Sequence, residues 1–356
     1  MRQVKGLNFA GQNIYCGIDV HKKGWSVSIR DDNFELKTFS QAPKPEILVD
    51  FLTRNYPEAN YYAVYEAGFS GFWTQRALAN QGVICKVIHP ADVPSTDKDR
   101  QQKTDQVDCR KLSQSLKEGR MEGIYIPAEQ QEDDRTILRT RQQLVKDQTR
   151  YKNRISSMLD IYGITIPQGY KNSSHFSKRF ISWLEQLNLS ESAKISLQLK
   201  LESLKGIRAQ LLQANRYVNK LGKSDQYKES VELLRSIPGI GLINAMTFLT
   251  ELGDVKRFKT MDKLNSYVGL APNIYSSAET THVKGITHRC NHILREALVE
   301  SAWCAVRKDP ALLMAYKEFV KRMNYNKAII KVARKLLNRI RYVLINRTKY
   351  VTGVVQ

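Results

Sequence analysis

Cysteine is scarce in this chain of 356 residues, and its placement argues against a disulfide-stabilised domain and against a zinc-stabilised one. The five cysteines are scattered along the sequence, and no two of them form a CxxC pair. The spacing therefore predicts neither a disulfide framework nor a cysteine-based zinc site, and it is typical of a reducing compartment.

Long apolar runs are also absent. No uninterrupted apolar segment reaches the length that a membrane span needs. The first twenty residues lack the apolar core and the small-residue cleavage site of a signal peptide. The sequence therefore predicts a cytoplasmic protein with no membrane partner.

Acidic residues are few beside basic ones, with 35 Asp and Glu against 56 Lys and Arg and a net charge of +21. The excess is uneven, because residues 1–127 carry a net charge of +2 and residues 128–356 carry +19. Such a surplus predicts nucleic acid as a partner, gripped mainly by the second part. An acidic membrane surface is the alternative, but no lipidation motif supports it.

Residues 1–127 alternate between short apolar runs and amphipathic stretches. An apolar run predicts a strand at 14–20, alternation of apolar and polar residues predicts one at 25–30, and a turn at 31–33 precedes another at 34–39. Two more strands are predicted at 61–66 and 83–89, with helices after 45, 72 and 104. This order is that of a ribonuclease-H-like (RuvC-like) mixed sheet. We therefore predict an α/β domain at 1–127, followed by mostly α structure.

Four carboxylates fall where this fold would bring them together. Asp19 and Glu66 each end an apolar strand, where a carboxylate without a partner is unfavourable. Asp105 and Asp108 are three residues apart in a helical segment and share one face. Carboxylate oxygens are ligands for Mg²⁺, and a two-metal site can act on a phosphodiester. The alternative is that these strand ends and this helix face are only solvated.

After residue 128 the chain becomes polar, charged and helical. One helical stretch carries an apolar stripe close to heptad spacing, formed by Leu197, Leu201, Leu204, Leu211 and Val218. An intramolecular helical hairpin and a coiled coil between subunits fit this stripe equally well. We predict a helical, coiled-coil region for oligomerisation at 128–225 and a mostly helical domain at 226–356.

Two segments of that last domain are suited to contacting the phosphates of a nucleic acid. At 233–253, a turn with Gly239 and Gly241 separates two helices, as in a helix-hairpin-helix whose amides reach a phosphate. A plain helix connection with a glycine cap is the alternative.

Residues 317–349 hold eleven Lys or Arg and one acid, which predicts a basic amphipathic helix. A membrane-surface helix would look similar, but the other basic elements favour nucleic acid.

A pair of serines, Ser276 and Ser277, occupies a predicted loop just after a proline. A serine hydroxyl needs activation to become a nucleophile, and a phosphate held by basic residues could supply that setting. Spacing alone favours a structural role for both serines. Basic residues expected to contact nucleic acid flank the acids and follow the serines: Lys103, Arg110, Lys284, Arg289 and Arg295.

Six motifs occur in a defined order along nearly the whole chain. They are GIDVHKK at 17–23, VYEAGFSG at 64–71, KTDQVDCRKL at 103–112, SIPGIG at 236–241, YVGLAP at 267–272 and KGITHRCNHILREAL at 284–298. In this order the chain resembles the DEDD-type transposases of bacterial insertion sequences, which are bridge-RNA-guided serine recombinases.

The resemblance implies a catalytic tetrad that binds Mg²⁺, at Asp19, Glu66, Asp105 and Asp108. It also implies a serine nucleophile a few residues after GLAP, which corresponds to Ser277, and a covalent phosphoserine intermediate. The family usually has Gly after this serine, whereas this chain has Ala278, so Ser276 remains an alternative.

The resemblance further implies a RuvC-like domain, a coiled-coil region and a helical serine domain. Its members assemble as homodimers and homotetramers, with one subunit's acids facing another subunit's serine. The implied partners are donor DNA, target DNA and a structured non-coding guide RNA, in the bacterial cytoplasm at the nucleoid. The implied function is the excision and site-specific insertion of a mobile element.

Three other functions are compatible with parts of this pattern. A RuvC-like nuclease would use the same metal-bound acids with water as the nucleophile. A site-specific invertase would act on a fixed chromosomal segment without a guide RNA. A protein that only binds nucleic acid would gain nothing from anionic clusters beside phosphate, so the acids count against it.

Overall fold

The computed structural model describes residues 8–93, 104–171, 176–277, 280–287 and 289–353, with the backbone alone at 171, 273–277 and 280–284. Contacts divide the chain into two compact units, Met1–Ile126 (the first unit) and Pro127–Gln356 (the second unit). A further division of the second unit at residue 225 stays a prediction.

The first unit is a five-stranded mixed sheet with helices, and it fits a ribonuclease-H-like domain. Its elements are β1 (Asn13–Val20), β2 (Trp25–Arg30), β3 (Glu35–Gln41), α1 (Pro45–Asn55), β4 (Asn60–Glu66), α2 (Trp73–Ala79), β5 (Ile84–Ile88) and α3 (Asp105–Lys117). The strand order is β3-β2-β1-β4-β5. The first three strands form an antiparallel meander, and β1, β4 and β5 run parallel. The predicted order of elements is confirmed.

The two faces of the sheet bury different residues, because successive side chains of a strand point to opposite sides. One face contributes Ile14, Cys16 and Ile18 of β1 to a core that also contains residues of α1 and α2. On the other face, Val64 of β4 packs with Leu112 of α3. Helix α3 therefore covers the face opposite to α1 and α2, as expected for a sheet with parallel strands.

The second unit is mostly helical, with one small β-hairpin. Its elements are α4 (Glu129–Ile161), α5 (Gln168–Lys171), α6 (Lys178–Glu185), α7 (Glu191–Leu221), α8 (Lys228–Arg235), α9 (Leu242–Leu252), α10 (Met261–Val268), β6 (Pro272–Ser277), β7 (Thr280–Ile286), α11 (His292–Ala305), α12 (Pro310–Val320) and α13 (Tyr325–Asn346).

The long helices α4 and α7 pack against each other as an antiparallel pair. Ile155 near the end of α4 shares a core with Leu201 of α7, while Leu138 near its start shares one with Val218. The heptad-like stripe therefore has an intramolecular partner, which is the hairpin alternative. The same helix leaves other apolar residues exposed, among them Leu199 and Leu212.

A buried carboxylate joins α4 to the helices that follow. Glu251 of α9 is 1% exposed and accepts hydrogen bonds from Arg139 at 2.7 and 3.0 Å. Arg135 lies 3.6 Å away, and the Asn291 amide donates to the same carboxylate at 2.7 Å. A buried charge needs partners of this kind, so Glu251 and its arginines act as one structural unit.

The basic C-terminal segment 317–349 was predicted as one helix, but it divides between the end of α12 and α13 because the Asn324 side chain caps the start of α13. The apolar side of α13 is already covered. Ile329, Leu336 and Ile340 are at most 2% exposed and belong to the main core of the second unit. A helix that lay on a membrane would keep this side for lipid, so the burial argues against the membrane alternative. Among the helices of the described residues, none has the combination of length and apolar character that crossing a bilayer requires.

Candidate metal centre

The candidate site depends on a close approach between β1 and α3. Gly17 of β1 has no Cβ, and one built there would lie 2.0 Å from the carbonyl oxygen of Cys109 and 2.4 Å from the amide nitrogen of Ser113. The Ser28 and Ser113 hydroxyl oxygens, 3.1 Å apart, add a buried hydrogen bond between β2 and the same helix. The backbone of α3 therefore lies directly on β1.

This contact places the first turn of α3 beside the end of β1. Thr104 caps the helix, since its side chain accepts a hydrogen bond from the Val107 amide. Asp105 and Asp108 both lie in that first turn, where the helix dipole favours negative charge. Asp19 follows Gly17 by two residues in β1 and therefore points to the α3 side of the sheet.

Glu66 reaches the same edge from the neighbouring strand. It ends β4, which pairs in parallel with β1 through Ile18 and Tyr65. Because Val64 packs on α3 and Glu66 is two residues later, both lie on the α3 side of the sheet. Glu66 is half-buried, so the sheet presents the two strand-end acids side by side.

Asp19 and Asp105 are joined by a residue that was not predicted from the sequence, His21. Its Nε2 lies 3.1 Å from Oδ2 of Asp19 and 3.5 Å from Oδ2 of Asp105. One ligand atom from each of these three residues falls within 4.8 Å of the others. The GIDVHKK motif held the signal, a histidine two residues after Asp19, but a turn histidine has no periodic pattern that marks it.

The electrostatics of the site follow from its acids. Burial raises the pKa of Asp19, the nearby His21 lowers it, and the charges of Asp105 and Asp108 raise it further, with a net upward shift. Asp108 itself faces Lys111, whose Nζ is 3.8 Å from its carboxylate. Carboxylates held at such short range suit a cation, and oxygen donors of this type suit a divalent one.

Comparison with known proteins covers both units. Residues 16–164 match the family model of the IS110-type DEDD transposases, and residues 231–317 match the model of the transposase IS116/IS110/IS902 family. The first range contains the four acids and the second contains Ser277. The chain belongs to the IS110/IS116 family of DEDD transposases.

Individual relatives of this transposase are similar to it over most of its length. The protein y4qE of Sinorhizobium fredii, named for transposase activity, is 27% identical over 81% of this chain and 71% of its own. The transposase of insertion sequence element IS1111A from Coxiella burnetii is 26% identical over 75% and 73%. The transposase of IS1533 from Leptospira borgpetersenii is 28% identical over 69% and 71%.

Membership of this family makes the chain an enzyme of transposition, which binds DNA, cleaves it and rejoins it. Transposases of the DEDD class use divalent metal ions, and the donor set of the candidate centre fits such an ion. The two carboxylates of Asp19 and Asp105 and the imidazole of His21 are ligands of hard and borderline divalent cations, whereas Glu66 and Asp108 are not in this group of three.

The two candidate serines, Ser276 and Ser277, lie in the β-hairpin of the second unit. Ser276 pairs with Thr281 and Ser277 pairs with Thr280 in antiparallel register, so the predicted loop is a strand. The prediction was wrong because a short, polar strand is specified by its cross-strand partner more than by its own sequence. Residues 278 and 279, between the strands, lie outside the described residues.

The predicted nucleic-acid contacts occupy varied environments. Lys103 lies outside the described residues, and Lys284 is described only as backbone in β7. Arg110 donates from Nε to Glu35 at 2.8 Å, which ties α3 to β3. Arg289 is exposed. Arg295 donates to the Thr287 carbonyl at 2.9 Å and so supports the segment before α11.

The two glycines of the turn between α8 and α9 differ in role. Gly239 has a φ of +91°, and a Cβ there would lie 2.5 Å from the Ser301 carbonyl oxygen. This glycine therefore allows the turn to pack on α11. A Cβ at Gly241 would meet nothing within 4 Å. Gly241 precedes the first residue of α9, where backbone amides are available to an anion.

The exposed side of α13 is a basic stripe. Lys327, Lys331 and Lys335 recur every four residues and are exposed, which places them on one face of the helix. The Lys331 ammonium lies 5.3 Å from the centroid of the Phe319 ring. With about 1.5 Å of rise per residue, the lysines are spaced by roughly 6 Å along the axis.

Proposed function

We propose that this transposase excises and inserts its element with Mg²⁺ held by Asp19, Glu66, Asp105 and Asp108 and with Ser277 as the nucleophile. The observation that carries the proposal is the convergence of Asp19 and Asp105 from two different elements, with ligand atoms within 4.8 Å of one another. Two carboxylates brought together by the fold gain stability from a cation between them.

The roles of the acids follow from the elements that hold them. When bound, a divalent ion stabilises the negative charge that develops on the phosphate. Asp19 and Glu66 lie at the ends of paired strands, and Asp105 and Asp108 lie in a capped helical turn. Rigid elements of this kind keep ligand atoms in place better than loops do.

The serine step conserves the energy of the phosphodiester. Oγ of Ser277 attacks phosphorus, so that a P–Oγ bond forms and the P–O bond to one deoxyribose breaks. The serine loses its proton, and the departing deoxyribose oxygen gains one. Attack on the phosphoserine by another deoxyribose oxygen reverses these changes and rejoins the DNA. The support for Ser277 is its place after YVGLAP in the matched region 231–317.

The basic second unit would grip the nucleic acids, which we propose to be donor DNA, target DNA and a structured guide RNA. Support for the DNA surfaces comes from the lysine stripe of α13, exposed Arg289 and the open backbone at Gly241. A helix-hairpin-helix role for the turn before Gly241 belongs to the same proposal. Support for the guide RNA is the resemblance of the motifs alone.

We also propose a homodimer or homotetramer in which acids and serine of different subunits act together. Apolar residues that α7 leaves exposed support an interface, since Leu199 is 60% exposed and Leu212 is 52% exposed. Light scattering after size exclusion measures this directly. A monomer at concentrations that support recombination would exclude the composite arrangement.

The test of the mechanism is recombination of a plasmid carrying the element, with Mg²⁺ and transcripts from the element's flanks. We expect Ser277→Ala to abolish both recombination and the protein–DNA adduct that labelled DNA shows on denaturing gels. Ser276→Ala, the matched control, should retain both. Asp105→Asn should abolish both, with circular dichroism confirming that each variant is folded.

A metal-dependent nuclease that uses water is the second candidate, because the four acids all belong to the first unit and need no serine. It predicts that Ser277→Ala still cleaves DNA, that Asp105→Asn does not, and that no adduct forms. Recombination at the wild-type rate by Ser277→Ala would remove the serine from the mechanism. Omitting the RNA tests guidance, and an element without mobile ends would indicate an invertase.

A further inference from the structure

His21 occupies a position between the acids that the family's four-acid arrangement does not explain. It follows β1 directly, and its amide donates to the Gly24 carbonyl at 3.1 Å, which closes the turn into β2. This turn brings the imidazole over the candidate centre. The ring is about half exposed, with 53% of the side chain accessible, so packing does not account for its orientation.

The distances around His21 match those among ligands of one ion. In an octahedral complex with bonds of about 2.1 Å, neighbouring ligand atoms are roughly 3 Å apart. Nε2 lies 3.1 Å from Asp19 Oδ2 and 3.5 Å from Asp105 Oδ2. The same nitrogen faces both oxygens, and the three ligand atoms all lie within 4.8 Å of one another.

We propose that His21 is a nitrogen ligand of the divalent cation at this site, and that the site therefore prefers Mn²⁺ to Mg²⁺. The inference rests on the metal site of the proposed function. Mg²⁺ favours an all-oxygen shell, whereas imidazole is a good ligand for first-row transition metals. An Asp, Asp and His donor set shifts the balance toward the transition metal.

A different role for His21 would be to hold Asp19 by a hydrogen bond and leave the ion to the carboxylates. In that case Nε2 donates its proton to the carboxylate and has no lone pair for a metal. Both roles predict weaker metal binding when His21 is removed, because residues behind a ligand also affect affinity. Only direct detection of a metal–nitrogen bond separates them.

The experiment uses Mn²⁺ as the probe, with the full-length protein and no nucleic acid. Electron paramagnetic resonance counts bound Mn²⁺, and its pulsed form detects ¹⁴N coupled to the ion. We expect ¹⁴N coupling in the wild type, its conversion to a ¹⁵N pattern with ¹⁵N-histidine, and its loss in His21→Ala and His21→Asn. His292→Gln, a histidine of the second unit, is the matched control and should keep the coupling.

Competition measures the preference. We expect the Mg²⁺ concentration that displaces half of the bound Mn²⁺ to fall about tenfold or more in His21→Asn relative to wild type. The same displacing Mg²⁺ concentration in His21→Asn and wild type would contradict the ligand role. Bound Mn²⁺ without ¹⁴N coupling in the wild type, or coupling that survives in His21→Ala, would contradict it too.

These outcomes are distinct from failure of the proposed function. If wild type binds Mn²⁺ without nitrogen coupling and Asp105→Asn does not bind it, the acid site stands and only His21 is excluded. If neither Mn²⁺ nor Mg²⁺ binds to the wild type, or if Asp105→Asn binds as well as wild type, the metal site itself is wrong. Circular dichroism of each variant shows that binding was measured on folded protein.

Discussion

Gly17 and Cys109 are in contact through their backbones. A Cβ at Gly17 would lie 2.0 Å from the carbonyl oxygen of Cys109, far inside contact distance. This single absence of a side chain allows α3 to lie on β1, and α3 carries two of the four acids. The site therefore depends on a residue that has no chemistry of its own.

Gly17→Ala should destabilise the first unit and impair metal binding. The added methyl group meets backbone atoms on α3, which cannot move aside as a flexible side chain would. We expect a loss of about 1–3 kcal/mol or more, as for overpacked cores, measured by urea unfolding. Mn²⁺ binding should weaken in the same variant because Asp105 moves away from Asp19.

The control for this prediction is Gly206→Ala in the middle of α7. A Cβ there meets nothing within 4 Å, and alanine favours the helical backbone more than glycine does. The substitution should leave the protein as stable or raise its stability by up to about 1 kcal/mol. A Gly17→Ala variant as stable as Gly206→Ala would show that α3 does not pack on β1 as described.

Asp19→Asn should stabilise the metal-free protein at neutral pH while removing metal binding. The pKa of Asp19 is raised, mainly by burial, so the folded state binds this proton more tightly than the unfolded chain. Wild-type stability should therefore fall as the pH rises from about 3.9, the ordinary Asp value, through the raised pKa. Asparagine does not ionise, so the variant escapes this loss.

Thermal unfolding in EDTA at a series of pH values measures the effect. The advantage of Asp19→Asn should be present above the raised pKa and should disappear below about pH 3.9, where both states of the wild type are protonated. A variant less stable than wild type at pH 7 without metal would mean that the contact with His21 outweighs burial.

Replacing Lys327, Lys331 and Lys335 by Gln should weaken DNA binding in a salt-dependent manner. Each lysine that neutralises a phosphate contributes about 0.9 to the slope of log K against log salt. We expect the slope for duplex DNA to fall by up to about 2.7, which is three such contacts, with anisotropy of labelled DNA as the readout. Folding should be unaffected because these side chains are exposed.

The same change of charge at Lys220, Lys223 and Lys228, which are exposed between the end of α7 and the start of α8, provides the comparison. If binding follows total charge alone, the slope of log K against log salt should decrease by the same amount in both triple variants. An equal loss would therefore remove the special role of the α13 stripe.

Glu251→Ala should destabilise the second unit strongly. It leaves Arg135 and Arg139 without their shared buried carboxylate and frees the Asn291 side chain. Breaking one side of a buried charge network typically costs about 3–5 kcal/mol, measured by urea unfolding. Glu318→Gln removes an exposed partner of Lys321 and should leave the unfolding curve unchanged. Similar curves for the two variants would contradict the structural role of Glu251.

The fold of the first unit was largely predictable, because its strands are short apolar or alternating segments bounded by turn residues. The site was predictable only in part. Strand-end acids are visible in a sequence because burial of an unpaired carboxylate is unfavourable, which led to Asp19 and Glu66. His21 was not predicted, since a histidine in a turn is equally compatible with solvent. The partner that Arg110 finds in Glu35 was not visible either.

In the second unit the sequence left alternatives that only packing resolved. The apolar stripe of α7 would look the same whether its partner were α4 or another subunit. In the folded chain the partner is α4, which packs antiparallel to α7. The amphipathic pattern of α13 suited a membrane or a protein core, and the core covers it. Ser276 and Ser277 were placed in a loop, yet pairing with β7 makes them a strand.

By itself, the sequence determined the order of strands and helices in the first unit, the basic character of the second, and the residue types available for chemistry. These depend on local patterns of polarity and charge, which are readable along one chain. The tertiary structure decided which residues meet: α3 on β1 across Gly17, and His21 between Asp19 and Asp105. Such contacts depend on distances between residues far apart in the chain, which no local pattern encodes.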